Sequence, residues 1–437
     1  MKRISKKVAC LFAALTLVLS MGGCGKTPAP SGSTEPQATT AGGSGEKPVL
    51  KMWHITVSDT DGNRTILLNA IKEAEAKFNV KIEESGTENE AYKTKIKSAM
   101  SSDTGPDFFF TWAAGFSKPF VDAGKVLQLD DYMGGFKDQL LPGITDNFSY
   151  DGKVYGLPYQ MQVAPLFCNK EMFEKNNVKI PETYEELLTA VKAFSAKGIT
   201  PMMCGAKDMW PAMFYYDVLA LRQAGAKQCN DTLSGKASFD APEFIEAAKK
   251  LQELSKAGAF GKDFLAVSWD EAQNGFAAEK AAMIFNGNWV SGTANADTSA
   301  SKGKVVVVKF PSITGGKSSQ TEYFGGAGDG YMINKNTKNP QLAVDVLSFL
   351  LQKLAADMYE ANTGMPGWKV SVDESKVSQM TKDMVNMTKD ATAWNIWWDV
   401  FLEGAKADTH KNLVVELMTN KITPEDFAKQ MQELMEE

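Results

Sequence analysis

An α/β fold built on a mainly parallel, doubly wound sheet is the class this sequence predicts, on three observations. Apolar strand patterns alternate with helical spacings in β-α-β-α-β order between Val49 and Phe110. The same texture returns between Val163 and Phe310. A length of 437 residues, 43% hydrophobic and 23% charged, suits about two to three ordinary globular domains. That balance excludes a disordered chain and a polytopic membrane protein.

The elements follow in order. Val49–Ile55 reads as a strand. Ile66, Leu67, Ala70, Ile71, Ala74 and Phe78 recur at helical spacing over residues 65–78. Val80-Lys81-Ile82 is a second strand, residues 92–100 a second helix, and Phe108-Phe109-Phe110 a buried third strand. In such sheets ligands meet the residues just beyond the carboxyl ends of strands, here Trp53-His54 and Thr111-Trp112. Further on, Val163–Cys168 is strand-like, and residues 181–196 form a helix whose Thr183 and Glu186 have capping-box spacing. Residues 210–224 and 242–257 are helical, and 281–285 and 305–310 are buried strands. Tyr331-Met332-Ile333 leads to a helix from Pro340 through Gln352, and Thr423 caps a last helix that has Pro424 at its first position. No internal repeat is present.

Ahead of this body, Lys2, Arg3, Lys6 and Lys7 precede an apolar run, Val8–Leu19, of 12 residues. As a helix the run reaches about 18 Å, short of a hydrocarbon core of roughly 30 Å. Residues 1–23 therefore read as a signal peptide. Met21-Gly22-Gly23-Cys24 resembles a bacterial lipobox, with Met where Leu is usual. That likeness implies a lipid, palmitate included, on Cys24 as the mature N-terminus. Residues 24–48 are rich in Gly, Pro, Ser and Thr and carry no recurrent apolar residue, so they read as a flexible, lipid-anchored linker. No later stretch has the roughly 18 uninterrupted apolar residues of a membrane helix. The expected location is the extracellular face of the cell membrane.

Formal charge is −6, and removing the four basic residues of the leader takes it to −10. An acidic chain repels phosphate backbones, so no nucleic-acid partner is expected. Two histidines, His54 and His410, exclude a multi-His metal site, and no metal or cofactor is expected. Cys168, Cys204 and Cys229 match no zinc spacing and allow at most one disulfide; buried free thiols are the preferred reading.

Several segments then carry a family resemblance. Gly105–Phe110 followed by Phe120–Leu129 resembles the "PDv-f … aG-l--L" stretch of family 1 extracellular solute-binding proteins, the sugar receptors of bacterial ABC importers that include maltose-binding protein. Tyr150–Tyr159 looks like their "Y-G-K-x-Y-G-L-P" segment. Cys168-Asn169-Lys170-Glu171-Met172-Phe173 is similar to "Y-N-K-x-x-F", with Cys in place of Tyr. Pro181–Leu187 resembles "P-x-T-W-E-E-L", and Asn286-Gly287-Asn288-Trp289 resembles the "G-N-W" turn. The resemblance covers essentially 49–437. It implies a two-lobed, periplasmic-binding-protein-like fold, each lobe a mainly parallel sheet flanked by helices, with a ligand cleft between. One lobe would hold 49–160 and 311–361, the other 161–310 and 362–437. It also implies a monomeric, non-enzymatic receptor that captures a sugar or oligosaccharide and hands it to ABC permease subunits.

Sugars offer C–H faces to aromatic rings and hydroxyls to amides and carboxylates. Of nine tryptophans, position selects Trp53, Trp112, Trp210, Trp289 and Trp394 as ligand contacts. Trp289 is also the residue whose family counterpart stacks on sugar. Trp394, Trp397 and Trp398 read as one helical face, and Trp269 and Trp368 as structural. His54 ends the first strand. Gln160 and Gln162 flank the expected hinge, Asn288 sits in the "G-N-W" turn, and Asp329 follows Gly325-Gly326-Ala327-Gly328, where backbone can approach closely.

Two other readings compete. A glycoside-active enzyme needs two carboxylates converging across a cleft, whereas Asp130-Asp131, Glu83-Glu84 and Glu185-Glu186 are sequence neighbours that diverge. No nucleophile-elbow motif is present. A receptor for a non-sugar solute would need cleft carboxylates for a polyamine or basic residues for an anion, and outside the leader the only arginines are Arg64 and Arg222.

Overall fold

The computed structural model describes residues 47–57, 62–402 and 404–436. The signal segment, Cys24 and the linker as far as residue 46 lie outside them. Along the chain come β1 (Val49–His54), α1 (Gly62–Phe78), β2 (Lys81–Gly86), α2 (Asn89–Ser101), β3 (Phe108–Trp112) and α3 (Lys118–Asp122). Next are β4 (Ser149–Tyr150), β5 (Lys153–Val154), β6 (Gly156–Pro158), β7 (Gln160–Val163), β8 (Leu166–Asn169), α4 (Lys170–Asn176), α5 (Tyr184–Ser195), β9 (Thr200–Met203), α6 (Trp210–Ala224), α7 (Ala226–Leu233) and α8 (Pro242–Lys256). Then follow α9 (Trp269–Ala277), β10 (Ala281–Phe285), α10 (Val290–Asn295), β11 (Val305–Val308), β12 (Glu322–Gly326), β13 (Asp329–Ile333), α11 (Pro340–Glu360) and β14 (Met365–Pro366). The chain closes with α12 (Gln379–Met387), β15 (Ala393–Asn395), α13 (Trp398–Phe401), α14 (Ala405–Met418) and α15 (Pro424–Glu436).

The β-α-β-α-β start produces the parallel ladder it predicts: β1 pairs in parallel with β2 and with β3. β13 and β6 then add antiparallel, in the order β2-β1-β3-β13-β6. A second sheet runs β11-β8-β10-β9, with only β10-β9 parallel. Strand direction is thus more mixed than the sequence suggested. β6, β8 and β13 connect directly to β7 or β12 of a small third sheet, β14-β7-β12-β15, without the crossover helix that a parallel return requires. The single strand read over 163–168 is two, β7 and β8, separated at Ala164-Pro165, because proline supplies no ladder N–H.

Where β12 pairs antiparallel with β7, Gly325 and Gly326 take φ of +148° and +128°. A Cβ on Gly325 would stand 2.4 Å from the Gln162 carbonyl oxygen, so only glycine fits.

Helix α6 is apolar on all sides and buried from Pro211 through Arg222, the signature of a core helix. Buried Arg222 at its end donates to the carbonyls of Phe310 and Glu322 and to Ser318 Oγ, pinning the chain that leads into β12. Asp217 on α6 and His410 on α14 are both fully buried and joined Oδ1 to Nε2 at 2.8 Å. Thr183 caps α5 through Glu186 N–H, but the reciprocal carboxylate of Glu186 accepts from Glu182 N–H, one residue earlier than the predicted box requires. Cys168, Cys204 and Cys229 are buried free thiols.

Candidate ligand-binding site

The β12–β13 turn and β7, the antiparallel partner of β12, assemble a polar focus. Gln162 Oε1 accepts from Gly328 N–H at 3.2 Å, and Gln162 Nε2 donates to Asp329 Oδ2 at 2.8 Å. A Cβ on Gly328 would lie 2.9 Å from both Gln162 Oε1 and Trp397 Nε1. Gln162, Trp397 and Asp329 therefore converge where a side chain has been omitted. Asp329 stands opposite Trp112 in the β13–β3 pairing. Its edge remains partly exposed, yet crowding by protein atoms pushes its carboxyl up to about 7. The Gln162 amide pulls that value down, the nearby Asp399 pushes it up, and Lys93 opposes Asp399. Lys93 bridges these parts, with Nζ 5.2 Å from the Trp112 ring centre and 3.9 Å from the Asp399 carboxylate.

Beside this focus the indoles gather. Trp397 stacks on Phe214 at 4.7 Å and 17°, and meets Trp289 at 5.6 Å. Trp289 meets Trp210 at 6.2 Å, and Trp210 meets Trp269 at 4.9 Å. The Asn286-Gly287-Asn288 turn aims Trp289. Its ring folds back over Gly287, where a Cβ would come within 2.2 Å of ring carbons. Asn288 N–H donates to the Val163 carbonyl and Asn288 Oδ1 accepts from Val163 N–H, tying the turn to β7. Asn288 Nδ2 and Gln160 Oε1 are buried without a partner.

Of the residues selected from sequence, Trp112, Gln162, Trp210, Asn288, Trp289 and Asp329 thus lie in one connected group. Trp53 is half-buried under Lys95 Nζ, 4.1 Å from the ring centre; Tyr92 lies between it and Trp112. Gln160 pairs with Pro366 in the third sheet and donates to Tyr159 Oη at 3.3 Å. His54 stays outside the group. It is fully buried, Nε2 holds Glu84 at 2.7 Å, and burial lowers its pKa, the Glu84 partner opposing.

One local expectation needs correction. Trp394, Trp397 and Trp398 do not share a helical face, because Trp394 lies on β15, Trp397 precedes α13 and Trp398 begins it. Pairing of β15 with β12 overrides the helical spacing. Trp394 packs on Tyr323 at 5.5 Å. Trp398 is core, its Nε1 donating to Asn395 Oδ1. The member that reaches Gln162 and Trp289 is Trp397, which sequence reasoning passed over. Trp269, read as structural, packs on Trp210 and begins α9, which Ser268 and Glu271 start with a complete capping box. Trp368 is buried and structural, donating to the Pro158 carbonyl.

Among the described residues no group of three or more His, Cys, Asp or Glu is placed to hold a metal ion. No helix among them is long and apolar enough to cross a membrane.

The profile of the family described as bacterial extracellular solute-binding protein matches residues 58–356. The chain belongs to that family. It is similar to a solved structure from work on xylan utilization by the thermophilic bacterium Caldanaerobius polysaccharolyticus, at 45% identity and a TM-score of 0.85, covering 88% of this chain and 99% of that one. It is similar to a chitin oligosaccharide binding protein at 25% identity and a TM-score of 0.82, over 90% of this chain and 99% of the other. An uncharacterized ABC transporter extracellular-binding protein of Pyrococcus horikoshii is 25% identical over 341 residues, 75% of this chain and 77% of the relative. The sheets described above are those of the two-lobed solute-binding fold, whose ligand cleft lies between the lobes.

Proposed function

We propose that this solute-binding protein is the sugar or oligosaccharide receptor of an ABC importer, a monomer tethered to the outer face of the membrane through a lipid on Cys24. The observation that carries the ligand class is the convergence of Trp289, Trp210 and Trp397 beside Gln162, Asp329 and Asn288. Indole faces match the C–H faces of a pyranose, each stack adding about 0.5–1.5 kcal/mol by analogy with aromatic pairs. The amide and carboxylate groups accept and donate to its hydroxyls. The two partnerless buried atoms, Asn288 Nδ2 and Gln160 Oε1, are groups that a polyol or water satisfies, and leaving each unmade costs about 1–3 kcal/mol. The sugar and oligosaccharide processes named for the similar proteins agree with this choice.

The lobes of this reading are 49–160 with 311–361 and 161–310 with 362–437. The small third sheet, whose strands β7 and β14 lie at the first and last of those boundaries, acts as the hinge. Sugar touching both lobes favours the closed form, and permease subunits take up that form. Binding without turnover fits the carboxylates. Glu84 is held by His54 and Arg64, Glu186 by Lys179 and the Glu182 N–H, and Asp130 by the Val154 N–H. A receptor for an arginine-clamped anion fits poorly, since Arg222 is buried on carbonyls and Arg64 donates to Thr56 O and Glu84.

Calorimetry against mono- and oligosaccharide panels is the direct test. At least one sugar binds with measurable heat and raises the melting temperature. Silence with every sugar, alongside binding of another solute class, would falsify the reading.

The pH dependence is specific. Asp329, pushed up to about 7, accepts sugar hydroxyls more strongly when ionised, because both its oxygens then carry charge; affinity rises with pH through about 7 and levels above it. Asp329→Asn flattens that profile between about pH 5.5 and pH 8.5. An unchanged slope in the variant assigns the titration to another group.

A further inference from the structure

A small cavity is walled by Lys93, Lys97, Trp112 and Phe116 on one side and by Asp399 and Lys411 on the other. In the lobe division proposed above, the first four belong to the lobe of 49–160 and the last two to that of 362–437. Lys93 and Asp399 both act on the Asp329 carboxyl, in opposite senses, so the cavity adjoins the polar focus. The two walls also meet directly. A Cβ on Gly115 would stand 2.2 Å from the Phe401 carbonyl oxygen and 2.9 Å from that of Leu402, so the turn after β3 meets the end of α13 backbone to backbone.

The charges on the two walls are complementary. Helix α2 carries Glu90, Lys93 and Lys97, a net positive set, while α13 and α14 carry Asp399, Asp408 and Lys411, a net negative one. Lys93 Nζ holds Glu90 at 2.8 Å on its own helix and reaches Asp399 at 3.9 Å across the gap. Lys411 holds Asp408 at 2.9 Å. Burial alone would lower the Lys411 pKa, yet Asp399, Asp408 and Glu90 keep it above the ordinary lysine value, so Glu90 too acts across the gap. Lys97 Nζ lies 4.8 Å from the Phe116 ring centre; burial lowers its pKa and Asp408, on the opposite wall, opposes that. The Lys93 and Asp399 side chains are only 17% and 11% exposed, against 70% and 40% for a surface pair such as Lys175–Glu171. Bringing the walls together therefore takes Lys93 and Asp399 largely out of water, where their attraction is stronger than at an exposed pair.

We propose that Lys93 and Asp399 are positioning residues that form an electrostatic clasp between the lobes, so that affinity for an uncharged sugar falls as ionic strength rises. The proposal rests on the sugar-receptor reading and its lobe division, and adds to them the residues that hold the closed form. Lys97 and Asp408 extend the clasp along the same face. A neutral ligand brings no charge of its own. A salt slope in its affinity therefore reports charges that the protein draws together on closing, which added salt screens better in the open form. The clasp acts after capture, so it slows release and leaves the association rate alone.

Calorimetry and stopped-flow kinetics with uncharged xylo- and gluco-oligosaccharides, from about 10 to 500 mM sodium chloride, test it. A pH of about 8.5 keeps Asp329 ionised in every variant. Wild-type affinity falls about two- to fivefold across that range, through faster dissociation. Lys93→Met and Asp399→Asn each bind more weakly at low salt and lose most of the slope, and the double variant is no weaker than either single one. Lys175→Met, which breaks the exposed pair on α4, keeps the wild-type slope. Wild-type affinity that is flat with salt overturns the clasp while sugar binding upholds the receptor reading, and that result needs no variant to fold. A slope that survives in both single variants also overturns the clasp. So do single losses that simply add in the double variant, which would assign the two residues separate contacts with the sugar. No heat from any sugar overturns the receptor reading and the clasp together.

Discussion

Trp289→Ala is expected to weaken sugar binding by about thirtyfold or more, equivalent to roughly 2 kcal/mol or above, while the protein stays folded. The size follows from position. The ring meets Trp210 at 6.2 Å and Trp397 at 5.6 Å, both edge to face, and folds over Gly287 with no Cβ to displace it. Removing it takes away a stacking face and leaves Asn288, beside it, to orient a ligand with nothing to press on. The fold is spared because Asn288 N–H and Oδ1 tie the turn to Val163 without the indole. Trp394→Ala is the control. Its ring packs on Tyr323, outside the group, and binding should change by less than about threefold. Affinity by calorimetry, with a melting curve for each variant, decides the matter. A Trp289→Ala protein that binds as tightly as the parent would move the site elsewhere.

His410→Ala is expected to lower unfolding free energy by about 3–5 kcal/mol, measured by urea denaturation at neutral pH. His410 and Asp217 are sealed from solvent, and Asp217 Oδ2 already lacks a partner. Without the imidazole the carboxylate has no side-chain partner left, and a void opens where the ring met Trp398 at 5.3 Å and Tyr216 at 6.0 Å. Replacing both members with leucine recovers much of the loss, because an apolar pair carries no charge to desolvate. Burial pushes Asp217 up to about 6, with His410 pulling the other way. The folded state then holds that proton more tightly than the unfolded chain does. The cost of ionising Asp217 is absent below its unfolded value near 3.8 and grows as pH rises toward 6. A double variant no more stable than His410→Ala would mean that ring packing, not charge, dominates.

Local pattern made much of this architecture legible. The alternation from Val49 to Phe110 placed three strands and two helices, and the all-round apolar run 210–224 matched a core helix with the same ends. Strand direction was less legible, because β6, β8 and β13 are antiparallel only by virtue of joining the third sheet, a relation between distant segments. The polar focus has the same character. Gln162 and Asp329 are 167 positions apart, and no spacing rule links them. The triple tryptophan misled for the opposite reason: 394, 397 and 398 carry helical spacing, yet β15 takes its conformation from β12, about 70 residues away. Pro165 and the Ser268–Glu271 pair were visible cues that were underused.

The three sealed sulfhydryls have a practical consequence. Burial raises the pKa of Cys168, Cys204 and Cys229, so little thiolate is available to electrophiles while the protein is native. A chain beginning at Lys47 contains these three cysteines and no others. Its rate of alkylation by iodoacetamide therefore clocks how often the body opens, and a bound solute slows that clock without any label being engineered into the molecule.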